Sequence, residues 1–228
     1  MDDRYVLVGV HGWSRGALDA LRGTMPGTWT LVDGPEGLTL EHLRSLAPRY
    51  VFFVHWSWRV PPEVLREFEC VCFHMTDVPY GRGGSPLQNL IVRGHRSTKL
   101  TALRMCEAFD AGPVYLKEDL SLEGLAEEIY LRAATTAARM IETIVRTRLV
   151  PVEQEGDVVA FRRRQPAESA ITGPTDLLAM FDFIRMLDAD GYPRAFFVRD
   201  GLRYEFRRPA LRAGRIEADV TITPVAEP

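Results

Sequence analysis

The residues best equipped for chemistry lie in FHMTDVPYGRGGSPLQNLI (73–91), where His74, Asp77 and Arg82 share a short stretch with glycines and prolines that turn the chain sharply. Histidine is the side chain that gains and loses a proton nearest neutrality, so His74 is suited to general acid–base work. A further acid, Asp110, opens the run DAGPVY 36 positions after His74. A carboxylate beside an imidazole fixes its orientation and favours its charged form. GRGGS is neither GxGxxG nor a loop ending in GK[ST], so a dinucleotide fingerprint and a P-loop are both unsupported.

Such side chains need a rigid frame, and the preceding sequence supplies one. YVLVGV (5–10) is an apolar run stopped by Gly12, and SRGALDALRG has helical spacing with Ser14 as its N-cap. TWTLVD (28–33) reads as a second strand, LTLEHLRSLA as a helix and YVFFVHW (50–56) as a buried third strand. Pro61 and Pro62 open the helix PEVLREF, and CVCFH forms a fourth strand ending at His74. This alternation predicts a parallel sheet, whose ligand crevice lies beyond the carboxyl ends of its strands. His55 and His74 both fall at such ends.

Downstream, 86–93 is helical, TKLTALRM (98–105) alternates as a strand and AGPVYLKE (111–118) is extended. From Leu122 a long helix carries Leu125, Ile129, Ala133, Ala137, Met140 and Ile144 on one apolar stripe. Residues 153–175 are turn-rich and read as a hairpin plus a connection. DLLAMFDFIRMLD is a helix, RAFFVRDGLRYEFRRP a strand, Asp-Gly turn and strand, and RIEADVTIT a last strand. The expected fold is α/β: a Rossmann-like, mostly parallel sheet flanked by helices over residues 1–165, then a small α+β C-terminal subdomain over 170–228.

With 228 residues, 46% hydrophobic and 26% charged, the chain has a globular composition. MDDRYVLVGV begins with acids where a secretory signal needs basic residues, and no apolar run reaches the ~18 residues that span a bilayer. Cys70, Cys72 and Cys106 lack metal or disulfide spacing, which fits reduced thiols in a cytoplasm and no metal site. The net charge of −3 shows no overall footprint for nucleic acid, and FRRRQ (161–165) reads as a solvated cluster.

The two-part pattern of His74, Thr76, Pro79, Arg82, Gly83 and Pro86, followed by Asp110, Ala111 and Gly112, resembles the 10-formyltetrahydrofolate-dependent formyltransferases. That group contains methionyl-tRNA formyltransferase and the nucleotide-sugar N-formyltransferases. The resemblance covers about residues 1–150 and continues weakly in IRMLDADGYPRAFF (184–197). It implies transfer of a formyl group from N10 of the folate to an amine, with no metal. His74 would donate to the oxyanion and relay the amine proton, and Asp110 would orient the imidazole or take that proton itself.

Family members usually carry asparagine two residues before the histidine, where this chain has Cys72. A thiol is a poorer donor. Asn89, the single asparagine of the chain, or a backbone N–H is the expected substitute; a loss of catalysis is the rival reading. By the same resemblance the pterin lies between HWSWRVP (55–61) and RMCEAFD (104–110), which assigns Trp56, Trp58, Arg104, Cys106, Phe109 and Asp110 to the folate. His11, Thr76, Asp77, Tyr80, Arg82 and Gly83 fall on the substrate side. Several keep a second reading: Asp77 attracts an ammonium group or starts the turn before Pro79, Arg82 meets an acidic substrate or anchors the loop, and the tryptophans are walls or core. His11 lines the site or caps a helix, His55 packs, and His42 and His95 lie at the surface.

Since FRRR and EFRR suffice for a diphosphate but form no stripe for a polyanion, the expected substrate is a nucleotide-linked amino sugar. The expected partners are therefore a small nucleotide sugar, no nucleic acid and no membrane, with a homodimer left open. The alternatives are a methionyl-tRNA formyltransferase-like enzyme and a folate- or nucleotide-binding protein without turnover.

Overall fold

The computed structural model describes residues 3–225, so the extreme ends of the ranges 1–165 and 170–228 lie outside the described residues. The chain forms two compact units. In the first, strands β1 (Arg4–Val8), β2 (Thr28–Val32), β3 (Tyr50–Phe53), β4 (Cys70–His74), β6 (Ser97–Arg104) and β7 (Val114–Ser121) make one sheet in the order β2-β1-β3-β4-β6-β7. Outside this sheet lie two short strands, β5 (Tyr80–Gly83) and β8 (Val159–Phe161). β1 pairs in parallel with β2 and β3, and β3 with β4; β6 runs antiparallel to β4. Tyr5–Val8 and Tyr50–Phe53 are buried throughout, as expected of central strands covered on both faces.

Helix α1 (Gly12–Thr24) buries Trp13, Ala17, Leu18 and Leu21 at three- and four-residue steps. Ser14, expected as its N-cap, lies inside it; His11 holds the cap position, and the Ser14 hydroxyl donates to the Val54 carbonyl at 3.1 Å. Helices α2 (Leu40–Leu46) and α3 (Pro62–Glu67) follow β2 and β3. Their Leu43 and Val64 join Val6, Val8, Val51 and Phe53 in one apolar cluster. Burial of each such side chain is worth about 1.5–3 kcal/mol. The long helix α5 (Ala126–Thr147) starts after Leu122 and Leu125, where Gly124 has φ +92° and the Glu128 carboxylate accepts from the Leu125 N–H.

The second unit does not follow the linear division. It gathers residues 84–97, with helix α4 (Pro86–Val92), and 121–130 together with the described residues 161–225. Here β9 (Phe196–Arg199), β10 (Leu202–Arg212) and β11 (Arg215–Pro224) form an antiparallel sheet in the order β11-β10-β9. Asp200 and Gly201 join β9 to β10 with φ of +51° and +74°, the backbone that selects Asp-Gly at a tight hairpin turn. Helix α6 (Leu177–Arg185) ends in Arg185, which is 1% exposed, pairs with Asp182 at 2.6 Å and donates to the Leu122 and Gly124 carbonyls. Asp188 pairs with Arg194 and accepts the Arg208 N–H, so the IRMLDADGYPR segment holds this unit together.

Residues 153–175 do not form the expected hairpin. Val152 bridges Val114, Val159 donates to the Pro79 carbonyl, and Pro166–Ser169 makes one 3-10 turn. The extended part finds partners far along the chain, while 162–168 bond locally around the 3-10 turn. No helix among the described residues is long and apolar enough to cross a membrane.

Candidate active site

Alternation along β4 puts Cys72 and His74 on one face of the strand, with His74 as its last residue. His74 is 8% exposed. The chain then folds back through a cis Val78–Pro79 bond and Gly81, whose φ is +80°, so that the Gly81 carbonyl returns to the imidazole. Nε2 of His74 donates to it at 2.8 Å, and the Thr76 hydroxyl donates to the same oxygen at 3.3 Å. A bond from the Thr101 hydroxyl to the Thr76 carbonyl ties this turn to β6. With Nε2 committed, Nδ1 is left facing Oδ1 of Asp110 at 3.5 Å. The other carboxylate oxygen accepts the Gly83 N–H at 2.9 Å.

Asp110 adopts φ +52°, a left-handed conformation that asparagine and aspartate tolerate better than most residues. Gly112 is required by space, since a Cβ there would stand 1.9 Å from the Arg104 carbonyl oxygen. Gln154 closes the turn: its Nε2 donates to the carbonyls of Asp110 and Gly112 at 2.8 and 2.7 Å. Its Oε1 accepts from Nε and Nη2 of Arg82 at 3.1 and 2.8 Å. Neither Gln154 nor Lys117 has a signal in the sequence, because their partners lie 39 or more positions away.

The remaining expected residues divide clearly. Asp77 pairs with Lys117 at 2.5 Å, and Lys117 also donates to the Val78 carbonyl, so this carboxylate serves the loop. Arg82 anchors as well, through Gln154. The Asn89 amide donates to the carbonyls of Gly84, Ser85 and Arg162, and its oxygen accepts from Arg93. Both of its N–H groups are thereby used. Tyr80 lies half-buried in β5.

Burial, and after it the charge of Asp110, push the Cys72 thiol well above its ordinary range, so it stays protonated near neutrality. Trp56, Cys72 and Met105 all pack against the apolar cluster of the sheet. Trp56 lies 4.8 Å from Trp58, which is 47% exposed, and the Trp56 indole N–H is buried without a hydrogen-bond partner among the described residues. Phe109 is 68% exposed. The Cys106 thiol donates to the Ala108 carbonyl, and the Arg104 guanidinium pairs with Glu69 at 2.5 Å. Among the described residues no cluster of histidine, cysteine or acidic side chains could hold a metal ion.

His11 and His55 form a separate aromatic group with Trp13: His11 stacks on Trp13 at 4.3 Å and His55 meets it edge-on at 5.5 Å. Burial, helped by His11, pushes the His55 imidazole down to about 3. The folded state therefore refuses a proton that the unfolded chain takes up below pH 6.5. The resulting stability is full above pH 6.5 and is lost as pH falls towards 3, by at most about 5 kcal/mol. Urea unfolding midpoints of the wild type should fall across this window more steeply than those of His55→Asn, whose side chain tolerates the φ of +57° at this position.

A family model described as the methionyl-tRNA formyltransferase C-terminal domain matches residues 166–223. A solved structure of methionyl-tRNA formyltransferase from Clostridium thermocellum is 40% identical, covers 98% of this chain and 100% of its own, and superposes with a TM-score of 0.95. Methionyl-tRNA formyltransferase from Rickettsia felis is 27% identical over 136 residues, 57% of this chain and 45% of its own length. The chain thus spans less than half the length of this curated relative. A sugar N-formyltransferase from Shewanella is 14% identical with a TM-score of 0.69, covering 92% of this chain and 99% of its own, a likeness of fold alone.

These matches overturn the expectation of a nucleotide sugar as partner and of no nucleic acid. The relative that is 40% identical over 98% of this chain is named for methionyl-tRNA, whereas the sugar enzyme is only 14% identical. The expectation leaned on a net charge of −3 and on the lack of a basic stripe beyond FRRR and EFRR, and a near-balanced whole-chain sum says little about any one surface. A local field, not the sum, decides whether a polyanion is held.

Proposed function

Because the chain belongs to the formyltransferase family, we propose that it transfers the formyl group of 10-formyltetrahydrofolate to the amine of methionyl-tRNA, with His74 and Asp110 as the proton-handling pair. The observation that carries this reading is the His74–Asp110 pair in a chain of which 98% is matched, at 40% identity, by a methionyl-tRNA formyltransferase. The cytoplasm, where charged tRNA resides, is the setting it requires.

The fit to the folate rests on Trp56 and Trp58, which offer flat apolar walls, and on the buried Trp56 N–H, which lacks an acceptor. When bound, the folate supplies a formyl group on N10. Its transfer to the methionyl amine would release one proton from that amine and require one at N10, so a nearby group would have to hold a proton between the two. His74 holds the migrating proton on Nδ1, which faces Asp110, while its Nε2–H stays on the Gly81 carbonyl. Asp110 stabilises the imidazolium and is itself held by the Gly83 N–H. Cys72, kept neutral, contributes only a weak S–H donor.

Formylation assayed with charged initiator tRNA at subsaturating concentration should slow steeply as salt rises, since each neutralised phosphate steepens the dependence. Equal efficiency on free methionine, or a rate insensitive to salt, would count against methionyl-tRNA as the substrate.

A further inference from the structure

We infer that Gln154 is a positioning residue for catalysis, clamping the turn that presents the Asp110 carboxylate to His74. This rests on the reading of Asp110 as the proton-handling carboxylate. Asp110 sits in a left-handed conformation in a turn with little regular structure, so nothing in a helix or strand fixes the direction of its side chain. The Gln154 amide supplies that constraint from both of its ends. Its two N–H groups meet the carbonyls of Asp110 and Gly112, on either side of Ala111, at 2.8 and 2.7 Å. Its oxygen takes two bonds from the Arg82 guanidinium, and Gly83, the residue after Arg82, donates its N–H to the Asp110 carboxylate.

The result is a closed circuit in which backbone and side chain of Asp110 are both gripped by one short segment, Arg82–Gly83, with Gln154 as the link. Only one orientation of the amide satisfies it, because two carbonyl oxygens need donors and a guanidinium needs an acceptor. Glutamate, of the same shape, keeps the Arg82 contact but turns lone pairs toward two carbonyls. Leucine removes both ends of the link. Displacement of a catalytic group by about 1 Å can cost ~10²-fold in rate, so a clamp that touches no substrate still governs turnover.

The test compares Gln154→Leu and Gln154→Glu with the wild type in kcat, KM and hydrogen exchange of the Gly83 amide. Both variants should lose ~10²-fold in kcat with little change in KM. The Gly83 amide should exchange faster as its bond to Asp110 loosens. In an Asp110→Ala background, Gln154→Leu should cause no further loss of kcat, because the residue acts through Asp110. Retained kcat, an equal further loss in the Asp110→Ala background, or unchanged Gly83 protection would each overturn the assignment. Should Gln154→Leu fail to fold, the isosteric Gln154→Glu carries the same comparisons. A wild type that transfers no formyl group would sink the function while the Gly83 exchange still judges the clamp.

Discussion

His74→Ala is expected to fold as the wild type does and to lose ~10²–10⁴-fold in kcat, the usual contribution of a general acid–base group. The imidazole lies at the last residue of β4, and the backbone bonds of that strand to β3 and β6 do not depend on its side chain. What disappears is the one ring nitrogen that faces a carboxylate. KM for the folate should change little, because Trp56 and Trp58, the walls proposed for it, stand on the segment after β3. Steady-state kinetics beside a thermal melt separates the two quantities. A variant with normal turnover at saturating substrates would remove His74 from the chemistry.

Asp110→Asn should cost a similar ~10²–10⁴-fold, and for a specific reason. The Gly81 carbonyl holds the proton of Nε2, so in the neutral ring Nδ1 carries the lone pair. A carboxylate welcomes a proton at Nδ1, whereas an amide can donate its own N–H there and block its arrival. Asparagine also tolerates the φ of +52°, so the turn should survive and the loss should fall on kcat rather than on stability. An Asp110→Asn variant that unfolds in less urea but turns over normally would make Asp110 a structural residue.

The parts of this arrangement that were legible in the sequence are those whose cause is local. Four consecutive apolar residues in Tyr50–Phe53, the Asp200-Gly201 turn and the stripe of α5 each carry their own signal. His74 and Asp110 were recognisable as a motif, and the structure brings them to 3.5 Å. Strand β5 was hidden because Tyr80–Gly83 contains two glycines and no alternating apolar pattern. Gln154 was hidden because an amide in a polar stretch looks like any solvated residue until its partners, 44 and 72 positions away, are seen beside it. Asn89 illustrates the converse: proximity to the glycine loop made it a candidate donor, yet three carbonyls absorb its two N–H groups.

The alternative roles offered for Asp77 and Arg82 also depended on partners that spacing does not reveal. Lys117 neutralises the first and Gln154 receives the second, so both side chains hold the loop, while His74 and Asp110 face each other at 3.5 Å. Electrostatic sums were the least informative quantity. A net charge of −3 gave no hint that arginine is the sole cation in the last 68 residues, including the Arg185 that is wholly buried beside Asp182.

The most direct measurement incubates the purified chain with 10-formyltetrahydrofolate and methionyl-tRNA, strips the aminoacyl group from the tRNA and determines its mass, with His74→Ala run in parallel. The wild type should yield N-formylmethionine and the variant ~10²–10⁴-fold less of it at equal time. Unmodified methionine from both, with the wild type folded and the donor intact, would contradict this expectation.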